Sequence, residues 1–254
     1  MKKFELTSEF VTFLGKTLFR IKALVSFGDV AEGELGGFIE RENNLDQSGD
    51  AWVYGDAQVS GNARVFGNAL VYGDARVYGD AQVFGDAQVS GDARVYGDAQ
   101  VFGDAQVSGD AWVYGNAWVY GDAWVFGNAW VYGDARVYGD AQVYGDAWVY
   151  GDARVYGDAQ VFGDAQVYGD AWVYGNAWVQ NCRDYSATSC FGSENRTTTF
   201  FRTKDGGISV RCGCFYGTLR EFREKVKERH GDSRLAKEYL MLADLMEFRL
   251  SKDE

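Results

Sequence analysis

The chain of 254 residues has no proline and a single histidine, His230. Glycine is abundant, at 33 residues, but without proline it cannot signify a collagen-like or proline-rich chain. No run of 18 apolar residues occurs, so the sequence predicts no transmembrane helix. Disorder is excluded from the other direction: aromatic residues make up 16% of the chain, and disordered segments are poor in them. The first ten residues carry no apolar signal core, which leads to the expectation of a cytoplasmic protein with four reduced cysteines. Ser-His-Asp, phosphate-loop and HExxH patterns are all missing.

What is present is a repeat. The 132 residues from Gly49 to Gln180 hold 22 unbroken copies of Gly-[Asp/Asn]-Ala-x-Val-y. Position x is Gln, Arg, Trp or, once, Leu; y is Tyr, Phe or Ser, with Gln180 closing the array. Ala and Val stand two apart, so in an extended segment both face inward while x faces out. Gly followed by Asp or Asn tolerates the positive φ of a corner. Each unit therefore reads as a short strand and a bend, and identical units stack naturally into a parallel solenoid. Segment 49–180 also carries 17 aspartates against 5 arginines, which accounts for a charge equal to the whole chain's −12. That acidity argues against direct binding of nucleic acid or an anionic membrane and is compatible with a basic partner.

The pattern aliphatic-x-x-x-small-x, as in Val53-Tyr54-Gly55-Asp56-Ala57-Gln58, resembles the hexapeptide repeat of left-handed parallel β-helices. The resemblance implies a mainly β fold, with left-handed coils of triangular section and 18 residues each. On that basis 22 units make about seven coils, a rod of roughly 35 Å at the ~4.8 Å strand spacing. Residues 1–48 are expected to form an N-terminal cap over the open strand edges. The alternating stretch from Thr17 to Lys22 is expected to pair with the first coil. The stretch from Phe27 to Leu45 resembles the leading segment of a bacterial and phage hexapeptide family classed as acyltransferases.

A period of 18 sorts the outward residues into columns. One side carries Trp112, Trp130 and Trp148 beside Tyr78, Tyr96, Tyr114, Tyr132, Tyr150 and Tyr168. A second carries Trp118 and Trp172; a third carries Trp52, Trp124 and Trp178, with Ser90 and Ser108 interrupting its aromatic column. Stacked aromatics stabilise adjacent coils, and a large aromatic face is also an interaction surface. The first side, from Tyr96 to Tyr168, is the expected partner-binding or self-association face. Aspartates stack at the corners, where turn hydrogen bonding is their expected role. Their density, about one charge per 3 Å against one per 1.7 Å in duplex DNA, suggests a polyanion mimic as a narrower version.

Residues 181–254 leave the repeat. Strands are expected at 197–203 and 208–215 around the turn Lys204-Asp205-Gly206-Gly207. Thr218 and Glu221 form a capping-box pattern that opens a helix, Gly231 ends it, and Ser233 opens another with Leu235, Tyr239, Leu242 and Met246 inward. This ββαα module resembles one attached to phage and prophage solenoids. Cys190, Cys212, Cys214 and His230 could form a metal set, but their spacing fits no standard zinc pattern. Buried thiols and a solvated His230 at a helix end are the expectation instead.

Hexapeptide acyltransferases generally place a histidine base in or beside their coils, and this chain's histidine lies outside the repeat. The expected function is therefore a non-catalytic interaction or scaffold protein without a cofactor, encoded by a phage or prophage. It would bind a basic host protein, as a polyanion mimic or anti-defence inhibitor, and form homo-oligomers through its aromatic faces or C-terminal module. An acyl-CoA-dependent acyltransferase and an inert rod are the alternatives.

Overall fold

A computed structural model describes residues 2–251. The 22 units become 22 short strands, from β4 (Trp52–Val53) to β25 (Trp178–Val179), one per unit. They form three parallel sheets in which each strand pairs with the one 18 residues on, as Gln88 with Gln106 and Val89 with Val107. We call the sheet with Trp112, Trp130 and Trp148 side I, that with Trp118 and Trp172 side II, and that with Trp52, Trp124 and Trp178 side III. The interior is Ala and Val alone, and every such residue of the array is at most 1% exposed. Two small residues per unit are what a narrow, close-packed three-sided coil can hold.

The solenoid makes about eight turns, because it begins before the repeat does. Strand β3 (Leu35–Ile39) pairs in parallel with β5 (Gln58–Val59), with Ile39 opposite Val59, and Leu45 bridges to Val65. Two longer strands, β1 (Phe4–Phe13) and β2 (Lys16–Ala23), form an antiparallel hairpin that joins β3 and extends side I. The alternating stretch at 17–22 pairs antiparallel with β3, in the segment expected to be the cap, rather than directly with a coil of the repeat. Trp52, an outward residue by its place in the unit, is fully buried beneath Phe4 and Phe27, whose rings meet it edge-on.

The ladder has a direction. In each coil the N–H groups of Asp/Asn, x and y donate to carbonyls one coil on: Asp86 to Gly103, Gln88 to Ala105 and Ser90 to Val107, all at 2.9 Å. The leading coil's Phe38, Glu40 and Asp46 N–H groups reach Ala57, Val59 and Val65 O, but other carbonyls of the first repeat coil have no backbone donor, and the last coil has N–H groups with no backbone acceptor. Each end is closed by the matching chemistry. At the start Lys3 Nζ donates to Ala51 O at 2.9 Å, Arg20 Nη1 to Gly55 O at 3.2 Å and Asn44 Nδ2 to Ala63 O at 2.8 Å. At the finish Thr199 Oγ1 accepts from Trp172 N at 3.1 Å, and Asp184 Oδ2 accepts from Gln180 N and Asn181 N at 3.0 Å each. Buried backbone polar groups cannot be left unpaired without a cost of ~1–3 kcal/mol each, which explains side-chain donors at one end and acceptors at the other.

The C-terminal module is a four-stranded antiparallel sheet, β26 (Tyr185–Phe191), β27 (Arg196–Arg202), β28 (Ile208–Cys212) and β29 (Phe215–Thr218), followed by α1 (Leu219–His230) and α2 (Arg234–Leu250). It is thus ββββαα rather than the expected ββαα. The expected strand 208–215 is cut by a two-residue turn at Gly213 and Cys214, where Gly213 has φ +57° and Cys212 faces Phe215. Neighbours in β27 serve opposite faces, as strand alternation requires: Phe201 enters the solenoid core and Phe200 enters the core under the helices. Thr218 and Glu221 make the expected capping box. Leu235, expected inward, is only half-buried, and Ala236 takes the inward place.

Candidate functional site

Side I brings together all eight residues assigned to the interaction face. Trp112, Trp130 and Trp148 stack with ring centroids 4.9 and 5.2 Å apart and planes within 8°. Tyr96, Tyr114, Tyr132, Tyr150 and Tyr168 stack beside them at 4.9–5.4 Å. The two columns touch edge-on, with Tyr96 against Trp112 and Tyr114 against Trp130. The coil spacing turns each ring face towards the next ring, so the outer surface presents ring edges, indole N–H groups and phenol hydroxyls. Burial pushes the Tyr96 hydroxyl up to about 12 and raises those of Tyr114, Tyr132 and Tyr150, so all four are neutral donors at physiological pH.

The face has definite ends and margins. Towards the N-terminus Phe13 covers the next ring, Tyr78, edge-on at 5.6 Å, with Arg76 over the Phe13 ring. Towards the C-terminus Tyr185 meets Tyr168, which is 52% exposed. The open stretch between spans four coil steps, roughly 20 Å. Along one margin run Asp92, Asp110, Asn128, Asp146 and Asp164; along the other run Asp98, Asn116, Asp134, Asp152 and Asp170. The result is an aromatic strip between two acidic rails.

Four of the five corner asparagines bond between coils rather than within their own turns, contrary to expectation. Asn62, Asn68, Asn116 and Asn128 each donate through Nδ2 to the aspartate 18 residues on, at 2.9–3.0 Å. The turn needs no side-chain acceptor, because its Gly supplies the positive φ and its Asp N–H belongs to the ladder. Asn therefore contributes a donor that relieves a stacked carboxylate, which the repeat alone did not reveal.

The docking of the module continues the solenoid's own columns. Tyr216 packs on Tyr174 of side II with centroids 4.0 Å apart and planes tilted by 40°. Arg211 and Arg154 lie over the Trp172 ring at 4.7 and 4.5 Å. Tyr216 and Arg211 come from a segment with no repeat period, so periodicity could not identify them.

The four candidate metal ligands are not assembled. Among the described residues no three His, Cys, Asp or Glu side chains are placed to hold a metal ion. Nor are the thiols buried, as expected of them: Cys182, Cys190 and Cys214 are exposed, and Cys212 is half-buried and accepts from Thr198 Oγ1 at 3.2 Å. The turn at Gly213 removes Cys214 from the strand face it was expected to share. His230 does end α1, as expected, but it is half-buried: it stacks on Tyr239 at 5.6 Å and lines a cleft in the module together with Cys212 and Cys214. A further unforeseen feature is the outer face of α2, where Met241, Leu245 and Phe248 are 71%, 56% and 85% exposed. Their spacing of four and three was the available signal, masked by the equally regular inward set.

Fold and surface together define a β-solenoid protein with a capped rod and an appended α+β module. Eight segments of the array, 57–73, 69–85, 87–103, 105–121, 129–145, 141–157, 147–163 and 165–181, match a family model described as the YdcK beta solenoid repeat. No curated protein matches the chain. No helix of the described residues is long and apolar enough to cross a membrane.

Proposed function

We propose that this protein is a non-catalytic interaction scaffold, in which side I binds a protein partner. The observation that carries this reading is the aromatic strip from Tyr96 to Tyr168, partly exposed along its length and framed by two rows of corner residues, mostly aspartates. Aromatic surface supplies most of the binding energy in protein interfaces, and flanking charge supplies orientation and rate. The complementary partner has an apolar centre with Lys and Arg at both margins. A basic nucleic-acid-binding protein of a bacterial host is the first class to test, given the resemblance to phage solenoids and the charge density of the rod. A rigid rod loses little conformational freedom on binding, which favours recognition by a preformed face.

The test is capture from a bacterial lysate by the full chain, repeated with Trp130→Ala and with Asp146→Lys in the same background. A partner whose retention weakens with salt and in both variants supports the reading. Retention unaffected by both variants, or no specific partner, overturns it. Light scattering on the eluted protein reports whether side I is instead occupied by a second copy. The competing acyltransferase reading would replace this one if acetyl-CoA turnover were found and were lost in His230→Ala.

A further inference from the structure

The chain is strongly acidic, yet one cleft gathers cations. It opens in the C-terminal module between β27, the β28–β29 turn and α1, with a volume of about 250 Å³. Its rim carries Arg196, Lys225 and Arg229 beside the His230 imidazole, with one lining carboxylate, Glu194; Lys225 also pairs with Glu228, just outside the cleft, at 2.7 Å. Lys225 and Arg229 stand one helical turn apart on the same face of α1, where like charges repel. Arg229 makes no ion pair with a described residue, and Arg196 reaches Glu194 only at 3.9 Å. Cations in the last turn of a helix are partly explained by the helix dipole. That does not explain Arg196, which comes from β27 on the opposite side of the cleft.

The floor is aromatic and rigidly held. Phe222 meets Tyr239 edge-on at 5.9 Å and Phe215 at 5.6 Å, and His230 covers the Tyr239 ring. Tyr239 is fixed in turn by its hydroxyl, which accepts from Ser193 N at 3.1 Å. Gly192, at φ +74°, is required there because a Cβ would overlap that hydroxyl. Such a cleft, apolar below and cationic at the rim, is the pattern of a small-ligand site in which a few polar groups orient an apolar body.

We propose that this cleft binds a small organic anion: a phosphate, sulfonate or carboxylate borne on an aromatic or compact apolar group. The anionic head would sit among Arg196, Lys225, Arg229 and His230, and the apolar body on Phe222, Val226 and Tyr239. Arg offers paired N–H donors that match such an oxyanion head, and the aromatic floor supplies the contact area. The site is separate from side I and does not depend on the scaffold reading.

The experiment is calorimetric titration of the full chain with phenyl phosphate, inorganic phosphate and benzyl alcohol as separate probes. Phenyl phosphate should bind saturably at one site, at least tenfold tighter than either half-probe. Arg229→Glu combined with Lys225→Glu should weaken it more than tenfold, and Arg196→Gln severalfold. Both helix residues are exposed, so folding should persist, as circular dichroism would confirm. Phe248→Ser on the outer face of α2 and Trp130→Ala on side I should leave binding unchanged. The proposal is overturned by absence of saturable binding, by equal affinity in the charge-reversed variant, or by inorganic phosphate matching phenyl phosphate.

Discussion

The side-chain amide of Asn128 donates to the carboxylate of Asp146, one coil further on, at 2.9 Å. The same bond recurs at Asn62, Asn68 and Asn116, always from Asn to the following Asp. A column of like charges every ~4.8 Å is thereby interrupted by a neutral donor that stabilises the next carboxylate.

Asn128→Asp removes that donor and completes a run of carboxylates from Asp56 to Asp164. The site is exposed, so the expected loss of stability is a few tenths of a kcal/mol, up to about 1 kcal/mol, at low ionic strength. Urea unfolding at 10 mM and 500 mM salt checks it, because screening should erase most of the difference. A loss that does not change with salt would show that the charge column is irrelevant.

Gly115 and Gly169 have nearly the same backbone, with φ +69° and +62°, but different surroundings. A Cβ on Gly115 would lie 3.1 Å from Gly133 N and 3.2 Å from Gly133 O, whereas one on Gly169 meets nothing within 4 Å. Gly169→Ala should cost ~1–2 kcal/mol for the left-handed conformation alone. Gly115→Ala should cost about 1 kcal/mol more, since the crowding atoms are backbone of the next coil and cannot move aside cheaply. Chemical unfolding of the two variants measures the gap, and equal losses would refute the crowding argument.

Lys3 is buried at the carbonyl end of the ladder, and burial lowers its ammonium to about 8 despite the attraction of Asp46 and Asp50. The folded pKa lies below the unfolded value, 10.5, so the unfolded chain holds more protons between the two. Its contribution to stability is therefore complete above about 10.5 and is lost as pH falls through about 8. The stability difference between the native protein and Lys3→Met should widen as pH rises from 8 to 10 and stay level below 7.5. Tyrosines raised by burial act in the opposite sense above pH 10, but equally in both proteins, so they cancel in the difference. A difference that stays constant across this range would mean that burial does not lower the Lys3 ammonium in the folded chain.

Much of the architecture was readable from one regularity. Ala and Val two apart, with Gly and Asp at the corner, dictate an inward pair, an outward residue and a bend. A period of six therefore yields the solenoid and the sealed Ala/Val interior, and the 18-residue coil implied by the resemblance to hexapeptide β-helices assigns the three aromatic columns. The side I residues were legible for the same reason: every eighteenth residue lands on one side, and stacking follows from strand spacing.

Where the period ends, inference from residue order weakens, because contacts there join segments far apart in the chain. Lys3, Arg20 and Asn44 close one end of the ladder, and Thr199 and Asp184 the other; none of them carries a local signal for that role. Gly213 turns Cys214 out of a strand that its neighbours suggested was continuous. His230 reaches a cleft because α1 packs across β28 and β29, which places it over Tyr239 of the next helix. A repeating chain specifies its interior through local geometry that each unit imposes on itself. The caps, the strip's two boundaries at Phe13 and Tyr185, and the cationic cleft depend on which distant segments satisfy the backbone groups and surfaces left over at the ends, and only the folded chain brings those segments together.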